Sequence, residues 1–203
     1  MSKKQSNAKE RRQSKREQRR QQLEREQRMR KLYIWIPVVV VVALIGLFIY
    51  RLNEPHVDGV VFAAEEVPAN QHDSSLVLEF EEVPPMGGPH NPTWQNCGIY
   101  EIPVEGQYAI HSMEHGAVWI TYQPDLPANE VEMLQDFARD DGRVLLSPYP
   151  GQRSKLFLTT WDIQLELDSV TDDRIEEFVT RYRNKRGPEI GASCSGGRGA
   201  PIS

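Results

Sequence analysis

Residues 108–122 read "YAIHSMEHGAVWITY", and the conformation of the first half decides what the rest of the chain can build. The second half, "GAVWITY" (116–122), is β-branched and aromatic, the composition of a strand. The first half admits two readings. As a strand it keeps a period of two through Ile110, Ser112 and Glu114. His111 and His115 would then lie about 13 Å apart and could not act together. As a helix they stack on one face about 6 Å apart, with Glu114 beside them. A Pro/Gly-rich turn precedes the stretch and Gly116 follows it, the residue favoured just past a helix C-terminus. These signals favour a short helix over 108–115 that runs into a strand at Ala117.

Downstream, "PDLPANEVEMLQDFARDDG" (124–142) predicts a helix. Pro127 suits its start, Val131, Leu134, Phe137 and Ala138 share a face, and Gly142 closes the stretch. "RVLLSPYP" (143–150) reads as a strand stopped by prolines, and "KLFLTTWDIQLEL" (155–167) as one long strand or two short ones. "TDDRIEEFVTRYRNK" (171–185) predicts a second helix with Thr171 as N-cap and an apolar stripe of Ile175, Phe178, Val179 and Tyr182. "VVFAAE" (60–65) is a further strand candidate. Strand, helix, strand, strand, helix is the order of an α+β domain with a mainly antiparallel sheet and helices on one face.

Charge divides the chain upstream of this domain. Residues 1–32 carry thirteen Lys/Arg against four Glu, and residues 51–203 carry eleven against twenty-five Asp/Glu. Between them, "YIWIPVVVVVALIGLFIY" (33–50) holds no charge. Eighteen residues at helical rise span about 27 Å, close to the hydrocarbon thickness of a bilayer. A buried core helix would show a polar face, and a signal peptide would have a shorter basic region and small residues behind the apolar run. The stretch is therefore read as a single transmembrane helix, with Tyr33, Trp35 and Tyr50 near its ends. The basic flank puts residues 1–32 in the cytoplasm and the C-terminal domain (60–203, after a 51–59 linker) outside the cell membrane. The tail is low in apolar residues and is disordered or helical near the membrane. Anionic lipid is its candidate partner; no nucleic acid is expected, and any protein partner is unspecified.

Cys97 and Cys194, the two cysteines, both follow the apolar run. An oxidising compartment would pair them, tying "GASCSGGRGAPIS" (191–203) to the domain. The alternative is a metal-binding thiolate at Cys97.

Residues 76–98, "LVLEFEEVPPMGGPHNPTWQNCG", start as a strand and then become a long Pro/Gly-rich loop, the kind usually kept for function. If 108–115 is helical, His111, Glu114 and His115 share a face, and His90 in "GGPHNP" is the candidate third imidazole. Such a set would take a copper or zinc ion. H-x-x-E-H is also the order of one metalloprotease motif, in which Glu114 would act as base. Met113 falls about 200° from His111 around a helix and points elsewhere. The alternative is that the histidines are hydrogen-bonded fixtures of the loop.

"PPMGGPHNPTWQNCGIYEIPV" (84–104) and "AIHSMEHGAVWITYQPDLP" (109–127) together resemble a bacterial family, the domain of unknown function numbered 3105. The resemblance runs from about His72 to the ending near Cys194 and implies a single membrane anchor ahead of the domain. It picks out His90, Cys97, His111, Glu114 and His115 but brings no assigned reaction. Three functions follow: a metal-binding domain for copper or zinc handling, a non-catalytic envelope interaction module, or a metal-dependent hydrolase.

Overall fold

The computed structural model describes residues 3–52 and 56–202. The chain divides into two compact units, Met1–Pro55 and His56–Ser203. Of the expected linker, residues 53–55 lie outside the described residues, and Val57 is already buried in the second unit.

The first unit is one helix, α1 (Lys3–Leu52). Within Arg19–Tyr50 an 18-residue window reaches a mean hydropathy of 2.8. Its apolar side chains, among them Trp35, Leu44 and Phe48, are exposed, a surface that needs lipid or another apolar cover. By length and composition α1 can cross a membrane.

The second unit is α+β, as the sequence predicts. Its strands are β1 (Val61–Phe62), β2 (Gly98–Ile99), β3 (Val118–Tyr122), β4 (Val144–Pro148), β5 (Leu156–Thr160) and β6 (Ile163–Leu167). They form one mixed sheet in the order β1-β6-β5-β3-β4-β2. The β1–β6, β6–β5 and β5–β3 pairings are antiparallel, whereas β3–β4 and β4–β2 are parallel. Parallel strands need a crossover, and helix α3 (Ala128–Ala138) supplies it between β3 and β4.

Alternation along β3 separates two cores. Val118, Ile120 and Tyr122 face one side, packed with Leu134 of α3 and with Ile175, Phe178, Val179 and Tyr182 of α4 (Arg174–Tyr182). Trp119 faces the other, packed with Ala109, Ile110 and Met113 of α2 (Gly106–Glu114). The two long-predicted helices thus share one face, and the short α2 covers the opposite one. The centre of the sheet is covered on both sides, so β3, β4 and β5 are buried at every position.

Two expected boundaries shift. Thr171 is not the N-cap of α4; Asp172, one residue on, accepts the Arg174 backbone N–H at 3.0 Å and grips its guanidinium as well. The Thr171 hydroxyl is instead engaged with Ser169 Oγ at 2.9 Å, and the residue flanking the helix is Asp173. Helix α3 ends at Ala138, and Asp140 rather than Gly142 takes the left-handed backbone (φ 58°). Asp tolerates that region more readily than most residues.

Candidate metal centre

The stretch that decides the fold is helical, and its end is closed by local backbone bonds. The N–H of Gly116 (φ +98°) donates to Met113 O at 2.9 Å and that of Ala117 to Ser112 O at 2.9 Å. This is the paired Schellman pattern that glycine just past a helix permits. The segment after α4 then covers the helix end. Glu189 N–H donates to Glu114 O at 2.9 Å and Asn184 N–H to Gly116 O at 2.7 Å. Gly187 makes this approach possible, because a Cβ there would lie 2.3 Å from Glu114 O.

The Pro/Gly loop is stapled to the same helix. Asn91 N–H donates to Gln107 O (3.0 Å), Gln95 N–H to Tyr108 O (3.2 Å) and Ser112 Oγ to Gln95 O (2.7 Å). A second segment pairs with this loop: Asp73 N–H donates to His90 O (2.8 Å) and His90 N–H to Gln71 O (2.9 Å). That short parallel bridge sets the His72 and His90 rings 4.8 Å apart.

Four histidines and two glutamates converge where these segments meet. One ligand atom each from His72, His90, His111 and Glu114 lie within 4.8 Å of one another, and so do those of His111, His115 and Glu189. Glu114 is the centre of the first group. Its Oε2 lies 3.0 Å from His90 Nε2 and 3.3 Å from His72 Nε2, and its Oε1 accepts the Asn70 N–H at 2.9 Å. His90 and Glu114 have fully buried side chains. Trp94 flanks the His111 and His115 rings at 5.8 and 5.1 Å.

The ring nitrogens have defined roles. His90 Nδ1 contacts Gly88 O at 2.7 Å, His111 Nδ1 contacts Asn91 O at 2.8 Å and His115 Nδ1 contacts Ser193 O at 2.7 Å. A carbonyl only accepts, so these partners assign the proton to Nδ1 in all three rings. In a neutral ring Nε2 then carries a lone pair. His90 Nε2 nevertheless faces a carboxylate oxygen, and two acceptors 3.0 Å apart repel. A second proton on the ring or a cation between the atoms removes the conflict.

The four ligand atoms are spaced as those around one ion would be. Zinc–nitrogen bonds of about 2.0–2.1 Å imply a tetrahedral edge of about 3.4 Å. Two edges of the cluster measure 3.0 and 3.3 Å, and the remaining ones stay within 4.8 Å. Backbone carbonyls on Nδ1 are also the usual outer partners of metal-bound imidazoles, fixing ring orientation and tautomer.

Burial and neighbouring groups shift two members of the cluster. Burial first, then the nearby His115, His90 and His72, holds the His111 ring below its ordinary value of 6.5 against the pull of Asn91 O, so the ring is neutral at neutral pH. Burial works to raise the Glu114 carboxyl, but the Asn70 N–H and the His90 and His72 rings outweigh it and set it below its ordinary 4.5. Both folded values lie below the unfolded ones, so each group contributes stability above its unfolded value that is lost in acid. The metal-free protein is therefore expected to weaken in two windows, from about pH 6.5 downward through His111 and from about pH 4.5 downward through Glu114. Denaturant unfolding across pH checks this, and His111→Gln should remove the upper window alone.

The structure brings together His90, His111 and Glu114 as expected. His115 joins the neighbouring group through His111 rather than the same four-atom set. Cys97 is bonded to Cys194, with Cα atoms 5.4 Å apart, and is no ligand. Met113 is buried in the core with Trp119 and Ile110. Sequence reasoning missed His72 and Glu189. His72 carried no motif beyond being a histidine, and Glu189 reaches the site only through backbone pairing with α2.

A helix able to cross a membrane, followed by an α+β domain with a His/Glu cluster around the buried Glu114, defines the class of protein. The chain belongs to the family described as "Protein of unknown function (DUF3105)", which matches residues 72–196. That range takes in every histidine and glutamate of the cluster. Comparison with curated proteins and with solved structures returned no significant match.

Proposed function

We propose that the domain binds one divalent transition-metal ion, zinc or copper(II), on His72, His90, His111 and Glu114. The observation that carries this reading is the convergence of the fully buried Glu114 carboxylate on His90 Nε2 at 3.0 Å and His72 Nε2 at 3.3 Å, with the His90 ring held by Gly88 O. Three imidazoles and a carboxylate suit borderline ions, and the set offers no thiolate or thioether for copper(I). The Glu114 carboxylate touches two rings and a backbone N–H, which suits a ligand better than the base of a hydrolase. The interaction-module reading rests on the same hydrogen bonds and requires no ion.

Metal analysis of the full chain purified in detergent separates these readings. About one equivalent of zinc or copper is expected after reconstitution, with a rise in thermal midpoint from binding to the folded state. No uptake near neutral pH in metal excess would return the cluster to a hydrogen-bonded fixture.

We also infer that the domain lies outside the cytoplasm. A membrane-length helix with a basic N-terminal flank supports this, as does a cysteine pair at bonding distance. In intact cells an impermeant thiol reagent should label Ser75→Cys and spare Ser6→Cys. The opposite pattern would invert the topology.

A further inference from the structure

We infer that His111 serves two adjacent cation positions in turn, and that a single divalent ion moves between an outer position on His115 and Glu189 and an inner one on His72, His90 and Glu114. This rests on the metal-binding reading above. The two groups of ligand atoms share His111 and no other residue. Its Nδ1 is committed to Asn91 O at 2.8 Å, so Nε2 is its one free lone pair. One lone pair bonds one ion, and two dications on neighbouring groups would repel strongly. The positions are therefore alternatives rather than a dinuclear centre.

Each group has one exposed member, His72 or Glu189, but their carboxylates differ in the sense a handover needs. The inner carboxylate, Glu114, is fully buried, whereas the outer one, Glu189, is 43% exposed. His115 Nε2 lies 3.5 Å from Glu189 Oε2, so these two can meet an ion that still carries water. The two carboxylates are joined through the backbone, since Glu189 N–H donates to Glu114 O at 2.9 Å. The His111 and His115 rings have centroids 4.6 Å apart, and those of His111 and His90 are 5.0 Å apart. An ion held by His111 can thus exchange its other ligands one at a time, replacing water by protein on the way in.

Cobalt(II) titration of the full chain in detergent, followed by visible absorption, tests the arrangement. The wild type should saturate at one equivalent, with the intense bands of a four-coordinate ion. His72→Ala/Glu114→Gln dismantles the inner position. It should still take one cobalt at least about 100-fold more weakly, with the faint bands of an ion that keeps several waters. Adding His115→Ala should abolish that residual binding. Two equivalents in the wild type would overturn the alternation. Absence of binding in the double variant, or retention of its binding after His115→Ala, would overturn the outer position. If the double variant fails to fold by circular dichroism, His72→Ala alone should shift the wild-type spectrum toward the outer form, and an unchanged spectrum counts against the handover. A wild type that binds no cobalt would instead sink the metal-binding reading itself.

Discussion

Reduction of the Cys97–Cys194 bond, or Cys97→Ala with Cys194→Ala, is expected to destabilise the domain by about 4–5 kcal/mol in the chain-entropy account of a cross-link this long. The two residues are separated by 97 positions, so the bond removes a large share of the unfolded chain's freedom. It also anchors the tail. Cys97 N–H donates to Cys194 O at 2.8 Å, and residues 95 and 198 pair beside it. The neighbouring Ser193 supplies the carbonyl that orients His115. Loss of the bond should therefore loosen residues 189–198 and weaken the outer cation position before the inner one. Denaturant unfolding with and without reductant measures the first effect, and cobalt titration of the reduced protein the second. A shift below about 1 kcal/mol would mean that the tail is held by its hydrogen bonds alone.

Glu114→Ala is expected to cost about 3–5 kcal/mol and to abolish tight binding at the inner group, leaving only weak binding on His111, His115 and Glu189. The substitution takes from the Asn70 N–H and the His72 ring their shared partner, and empties a fully buried space beside His90. Glu114→Gln separates the two roles. The amide oxygen still accepts the Asn70 N–H and the shape is preserved, so the stability loss should fall to about 1–2 kcal/mol. A neutral amide is a poor ligand beside imidazoles, so metal affinity should drop by at least about 100-fold. Metal content and thermal midpoints of the two variants, measured side by side, provide the check. If Glu114→Gln keeps its metal within about threefold, the carboxylate is structural and the ion rests on the rings.

The helix at 106–114 shows how far local reading goes. The Gly116 stop and the strand-like run behind it favour a helix over a strand for His111 and His115, and the structure has the helix, closed by Schellman bonds made within six residues. The apolar stripe of α4 was equally legible, since a period of 3.6 is a property of the local chain. Mixed pairing in the sheet was not. A strand carries the same residues whether its neighbour runs parallel or antiparallel, and only the path of α3 settles the choice.

The apolar helix behind a basic tail and the α+β class follow from composition and period. The pairing of Cys97 with Cys194 is an expectation from their place beyond the apolar run, and His90, His111, His115 and Glu114 are candidates only if 108–115 is helical. Only the tertiary structure brings His72 to His90, His111 and Glu114, sets His115 beside Glu189, and turns the Nδ1 atoms of His90, His111 and His115 to backbone carbonyls. His72 arrives through a two-residue bridge to the Pro/Gly loop, and Glu189 through one backbone bond to the end of α2. Contacts of that kind join segments distant in sequence by main-chain atoms common to every residue, so no side-chain pattern announces them.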